Sequence, residues 1–220
     1  RPFRGVTLIE LLVVFAIIAI LALVLVTSQS AFNRTFILAN TAYDVALTIR
    51  SAEVYGLGSR LNAGLQNTGY GVHFDYTGSS LTSFIFFADH HPFSPTTCHP
   101  SPGEGYVMAP TAAAGDCVYT SLYESAYATT YTLGNRITID KICAKANDAW
   151  ECTGSGLITL DVTFARPNTR AYLVKNNSYN ASAIVTEACL SLVSPYGGSP
   201  RYISVKLSGA ITASATRCYP

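Results

Sequence analysis

The sequence predicts an α+β protein, with a long N-terminal α-helix packed on an antiparallel β-sheet body whose loops are disulfide-bonded. Three observations carry this. From Val6 to Tyr55 there is neither Gly nor Pro, the residues that most readily interrupt a helix. Beyond Gly56, Gly58 and Gly64 the chain turns into short β-branched and aromatic segments separated by turn-rich stretches. Six cysteines all fall in that later region, none near the apolar start.

The helix reads as two halves. Val6 to Val26 (VTLIELLVVFAIIAILALVLV) is apolar over about the ~20 residues needed to cross a bilayer core. Arg1 and Arg4 precede it and the next charge after it is Arg34, a bias that keeps the N-terminus cytoplasmic and sends the body outward. A cleaved secretory signal would stop after a short apolar region and a small-residue site. Here the pattern runs on, with Phe32, Phe36, Ala39, Tyr43, Ala46 and Leu47 recurring at spacings of three and four. That stripe predicts an amphipathic continuation docked on the body, with Arg34, Asp44, Arg50 and Glu53 on other faces. At ~1.5 Å per residue the whole helix spans on the order of 75 Å.

In the body, Gly71 to Tyr76, Ser83 to Phe87, Arg136 to Ile142, Leu157 to Phe164, Ala171 to Val174 and Tyr202 to Leu207 read as strands. Asp89 to Gly105, Asn176 to Ser182 and Ser194 to Pro200 read as loops. An even set of cysteines (Cys98, Cys117, Cys143, Cys152, Cys189, Cys218) without CxxC or zinc spacing points to disulfides in an oxidising compartment. Neighbour pairing, Cys98 with Cys117, Cys143 with Cys152 and Cys189 with Cys218, closes three local loops, among about 15 possible arrangements.

Composition and motifs exclude more than they assign. A net charge of +1 and 12% charged residues give no field to hold nucleic acid. There is no P-loop, dinucleotide fingerprint or GxSxG elbow; Gly154-Ser155-Gly156 lacks the spacing and reads as a turn. His90, His91 and His99 beside Asp89 sit in a proline-rich loop unsuited to fixing a metal. Asn176-Asn177-Ser178 and Asn180-Ala181-Ser182 match the glycosylation pattern but fall in a turn-rich loop. Tyr119, Tyr123, Tyr127 and Tyr131, at intervals of four, suit subunit packing or a sheet surface better than base stacking, since no basic groove accompanies them. No enzymatic activity, cofactor or metal site is expected.

Glu10 is the one charge within the apolar run. A carboxylate near the centre of a membrane helix costs on the order of 2.5 to 3.5 kcal/mol, less near an end. The positive helix start returns only about 0.3 to 1 kcal/mol, so a cationic partner is called for. Arg4-Gly5 followed by Val6-Thr7-Leu8-Ile9-Glu10-Leu11-Leu12-Val13-Val14 resembles the class III signal of type IV prepilins and type II secretion pseudopilins.

The resemblance implies leader cleavage between Gly5 and Val6, methylation of Val6, and pairing of Glu10 with the Val6 amine of a neighbouring subunit. Buried, those two charges are each costly alone and offset one another when paired. The Gly and Pro that break this helix in many major pilins are absent, so an unbroken helix is expected. More diffusely, Ala42 to Arg50 with Glu53 and Gly56, Leu160 to Phe164, and Ile203 to Leu207 with Gly209 resemble minor pilins and H-type pseudopilins.

The implied organisation is a leader remnant at 1–5, a transmembrane and filament-core helix at 6–30, its amphipathic continuation at 31–58 and a β-rich pilin body at 59–220. The implied partners are copies of the chain or other pilins, a prepilin peptidase, and an inner-membrane assembly platform with its ATPase. The precursor would sit in the inner membrane with its N-terminus cytoplasmic, before entering an extracellular pilus or periplasmic pseudopilus. A monomeric, membrane-tethered ectodomain that binds a ligand or surface is the alternative.

Overall fold

The computed structural model describes residues 5, 7–58, 69–78, 80–89, 115–165, 169–178 and 183–220, without the side chains of 25–32. Helix α1 runs unbroken over Leu8–Leu57, fifty residues. It begins two residues after Val6 because Thr7 takes the N-cap, and it ends at Gly58, whose N–H bonds the Val54 carbonyl. Hydroxyls that could compete with the helix are turned into it. Thr41, Thr48 and Ser51 each donate to the carbonyl four residues back.

The body holds ten strands among the described residues: β1 (Gly69–Asp75), β2 (Ser83–Asp89), β3 (Ala128–Thr132), β4 (Thr138–Ala146), β5 (Ala149–Cys152), β6 (Thr159–Phe164), β7 (Ala171–Lys175), β8 (Val185–Val193), β9 (Arg201–Lys206) and β10 (Ile211–Ser214). A short helix α2 (Ser121–Glu124) and a 3₁₀ turn (Ser125–Tyr127) precede β3. All pairings are antiparallel, but they form two sheets where one was expected. Their orders are β3-β2-β1-β6-β7 and β10-β9-β8-β4-β5. A bridge between Leu81 and Ile139 links them.

α1 packs on β1 and β6 of the first sheet and on β8, β9 and β10 of the second. One core joins all three, with Leu38, Val45 and Ile49 of the helix meeting Val72, Phe74, Leu160, Val162 and Phe164 of the first sheet and Ile142, Leu190, Ile203 and Val205 of the second. The docked face of α1 is therefore Leu38, Ala42, Val45, Ala46, Ile49 and Ala52. Of the stripe read from the sequence, Phe36, Tyr43 and Leu47 face outward, each more than half exposed. The helix chooses its small face because small residues let the backbone approach both sheets closely.

The membrane span read at Val6 to Val26 is not reproduced among the described residues, where no helix is long and apolar enough to cross a membrane. The described side chains of that apolar run stop at Val24.

Cys143 and Cys152 face each other across β4 and β5 and are bonded, with Cα atoms 4.0 Å apart. Cys189 of β8 is bonded to Cys218 near the C-terminus at a Cα separation of 5.9 Å. Cys117 is also disulfide-bonded, and its expected partner Cys98 lies outside the described residues.

The helix approaches the first sheet closely at Gly56, where an added Cβ would lie 2.0 Å from the Phe164 carbonyl oxygen of β6. Backbone there cannot yield cheaply. Gly56→Ala should therefore destabilise the chain by about 1 to 3 kcal/mol, the usual cost of overpacking, despite the better helix propensity of Ala. Denaturant unfolding measures this, and unchanged stability would show that the approach can relax.

Candidate functional site

Gly5 is exposed at the start of the described chain, and Val6 lies outside the described residues, as do Arg1 and Arg4. Thr7 and Glu10 form a capping box. One Glu10 oxygen, Oε2, accepts from both the Thr7 backbone N–H and the Thr7 hydroxyl at 2.9 Å, while the Glu10 N–H donates to Thr7 Oγ1 at 3.4 Å. The carboxylate is thus aimed back at the chain start, satisfying donors that open every helix. The Thr-x-x-Glu spacing could have announced this from sequence.

From Leu8 to Val24 the helix stays exposed among the described residues. Its large apolar side chains are all at least half exposed, from 51% at Val13 to 81% at Leu8. A continuous apolar cylinder left in water is a strong driving force for association, at about 25 cal/mol per Å² removed from solvent. Phe36, Tyr43, Leu47 and Val54 extend an outward apolar seam along the docked half. Arg34 donates to the Tyr196 carbonyl at 2.6 Å, and Arg50 to that of Ile211 at 3.0 Å, so both tie the helix to loop or strand backbone.

A second polar assembly was not legible in the sequence. The face of the first sheet opposite α1 is covered by the segment 115–127, a strap held down by carboxylates. Asp89 of β2 accepts the Asp116 N–H at 3.0 Å and the Cys117 N–H at 2.8 Å. Asp161 of β6 accepts the Tyr119 N–H at 3.0 Å and lies 2.7 Å from His73 Nδ1 of β1. Within the strap, Asp116 accepts from Val118 and Glu124 from Thr120. Asp89, Asp116 and Glu124 bring carboxylate oxygens within 4.8 Å of one another, the grouping among the described residues that could hold a metal ion. Asp89 already docks the strap through two of its N–H groups, and Asp116 and Glu124 each accept one N–H within the strap, so all three are engaged in shaping it.

Burial drives the Asp89 carboxyl well above the usual carboxylate range, reinforced by the Asp116 charge and opposed by the Cys117 N–H. Asp161 is raised too, mainly by burial, with the His73 hydrogen bond pulling the other way.

The remaining sequence candidates resolve into structure. Ser155 caps its own turn, bonding the Cys152 N–H and carbonyl. The Asn176 side chain accepts from Ile158 and Thr159 and donates to the Gly156 carbonyl, staking down a turn. Tyr119, itself in the strap, packs on His73 and Phe87, whereas Tyr131 stacks on Phe84 of β2. The four tyrosines do not form one stripe. His90, His91, His99 and Asn180 lie outside the described residues.

Residues 1–26 match the family model for the prokaryotic N-terminal methylation motif. No curated protein and no solved structure matches the chain.

The strap carboxylates give a pH dependence of uncommon sign. A folded state that holds the Asp89 proton more tightly than the unfolded chain loses stability as pH rises from the ordinary carboxylate range through the raised value. The melting temperature should therefore be higher near pH 5 than near pH 7.5. Asp116→Asn, which keeps the acceptor for Val118 but removes the charge beside Asp89, should flatten that slope and raise stability at pH 7.5. A melting curve that climbs with pH would refute the assignment.

Proposed function

We propose that the chain is a structural subunit of a bacterial type IV pilus or pseudopilus, assembled by lateral packing of N-terminal helices. The observation that carries this is an unbroken helix whose first half, within a prokaryotic N-terminal methylation motif, holds its described large apolar side chains at least half exposed. Copies of the same helix are the simplest surface of matching length to cover it. The precursor would be held in the inner membrane by this half, processed by a prepilin peptidase between Gly5 and Val6, methylated at Val6, and extracted by an assembly platform and its ATPase into an extracellular or periplasmic filament. No chemistry is required of the subunit itself, and the Asp89 and Asp161 carboxylates are consumed in strap docking.

Glu10 would set the register between subunits by pairing with the Val6 amine of a neighbour. The capping box sharpens this role. Thr7 holds one carboxylate oxygen at the helix start, so the charge is positioned before a partner arrives. The exposed Phe36, Tyr43, Leu47 and Val54 would continue the contact along the docked half.

Two variants separate charge from capping. Glu10→Gln retains a carbonyl acceptor for the Thr7 N–H but carries no charge, whereas Glu10→Ala removes both. Both should insert into membranes normally, and both should lower filament yield at least tenfold by electron microscopy of sheared material. Wild-type filament yield from Glu10→Gln would remove the charge-pairing role, and a defect confined to Glu10→Ala would assign the residue to helix capping alone. Mass spectrometry of the mature subunit should give a chain beginning at N-methylated Val6; a different start would count against processing at Gly5.

A further inference from the structure

The helix enters the body between two loops. At that point Arg34 and Ile37 of α1, the Asn135–Arg136 turn ahead of β4, and Tyr196 from the β8–β9 loop line an open cavity of about 290 Å³. Both guanidinium groups belong to exposed residues. Arg34 spends one donor on the Tyr196 carbonyl, and neither arginine has a carboxylate partner among the described residues. The apolar side of the cavity is supplied by Ile37 and by Tyr196, which is half exposed.

Arg136 occupies an unusual place for its type. Ile137 N–H bonds the Gly134 carbonyl at 3.0 Å across a two-residue turn in which Asn135 and Arg136 both have φ of 56°. Such a type I′ turn suits Asn first and Gly second, because a left-handed backbone disfavours a long side chain. The turns at Asn147–Asp148 and Asn176–Asn177 use short Asn and Asp side chains that tolerate this backbone. Arg136 departs from that chemistry, and a strained position that keeps its side chain in a cavity invites a functional reason.

Position supplies that reason. Arg34 lies eight residues beyond Val26 on a continuous helix, about 12 Å past the end of the apolar run at ~1.5 Å per residue. Helical side chains lean toward the N-terminus, which brings the Arg34 guanidinium back toward the headgroup layer of a bilayer spanned by that run. Two arginines and an Asn lining one cavity supply donors that suit a phosphate oxyanion, and the flanking Ile and Tyr suit the glycerol and upper acyl carbons.

We infer that this cavity binds the phosphate headgroup of an anionic phospholipid, seating the body on the membrane while the subunit awaits assembly. The inference rests on the membrane-held precursor of the proposed function. It adds that release into the filament includes surrender of a bound lipid headgroup at Arg34 and Arg136.

The test uses the full chain reconstituted into vesicles of equimolar phosphatidylcholine and phosphatidylglycerol, with lipid retention read by native mass spectrometry after mild extraction. Wild type should retain phosphatidylglycerol over phosphatidylcholine by on the order of tenfold or more. Arg34→Gln and Arg136→Gly should each reduce that preference roughly fivefold, from the usual attraction of one basic residue to an anionic surface. Arg136→Gly should at the same time melt no lower than wild type, because Gly suits the turn, so the loss would not be one of folding.

Equal retention of the two lipids by wild type, or unchanged preference in both variants, would overturn the inference. So would displacement of phosphatidylglycerol by millimolar inorganic phosphate, which would assign the site to a soluble anion. Loss of filaments with lipid preference intact would also overturn it and assign the arginines to a carboxylate of a neighbouring subunit. Failure to insert into vesicles of either lipid would remove the membrane-held precursor itself, whereas insertion without preference removes only the headgroup site.

Discussion

Backbone hydrogen bonding in α1 is self-contained from Leu8 to Leu57, but its apolar surface is not. The second half finds its burial within the chain, between two sheets that would otherwise share no lid. The described apolar side chains of the first half stay exposed, and the sequence places no Gly or Pro there at which the helix would bend. A single rigid element thus carries two demands that one monomer cannot meet together. The body satisfies one, and the environment of the N-terminal half, bilayer or neighbouring helices, must satisfy the other.

The helix was legible in the sequence because its signal is long and one-sided, with an absence of breakers over fifty residues. Its docked face was not. Phe36, Tyr43 and Leu47 recur as regularly as Leu38, Val45 and Ile49, and a periodicity argument prefers the bulkier set. Packing prefers the smaller one, since Ala42, Ala46 and Ala52 let the helix sit close to both sheets. Strands with strong alternation, such as β1, β2, β6 and β9, were readable to within a few residues. β8, reading VTEACLSLV, hid among polar residues, and β3, β5 and β10 are short pieces whose pairing comes from their neighbours. At the helix start the reverse happened. Thr7 and Glu10 carry an ordinary capping spacing, but the rarity of a charge in an apolar run drew attention to an absent partner and away from the one three residues upstream.

The strap over the first sheet illustrates what no local pattern can show. Asp89, Asp116, Glu124 and Asp161 come from three separate stretches of chain and meet only because β1, β2 and β6 are adjacent. Apolar cover for that sheet face is thin among the described residues, with Cys117 and Val118 against Tyr172 and Val174 and Tyr119 against Phe87. The segment is instead fixed by hydrogen bonds from its backbone N–H groups to buried carboxyl groups, which are directional but require those groups to be buried near one another. Stability here is traded for a defined position of the strap.

The close seating of α1 at Gly56 has a mechanical consequence. A pull applied to the exposed half travels along the helix axis and reaches the body as shear, distributed over the contacts from Leu38 to the Phe164 carbonyl. It does not peel one strand from an edge. Sliding would have to break those contacts together, and it would drag the close-fitting Gly56 turn past a backbone oxygen, since a larger neighbouring residue could not occupy that gap. The geometry that leaves no room for a methyl group at the helix end therefore adds to the resistance against axial extraction of the helix.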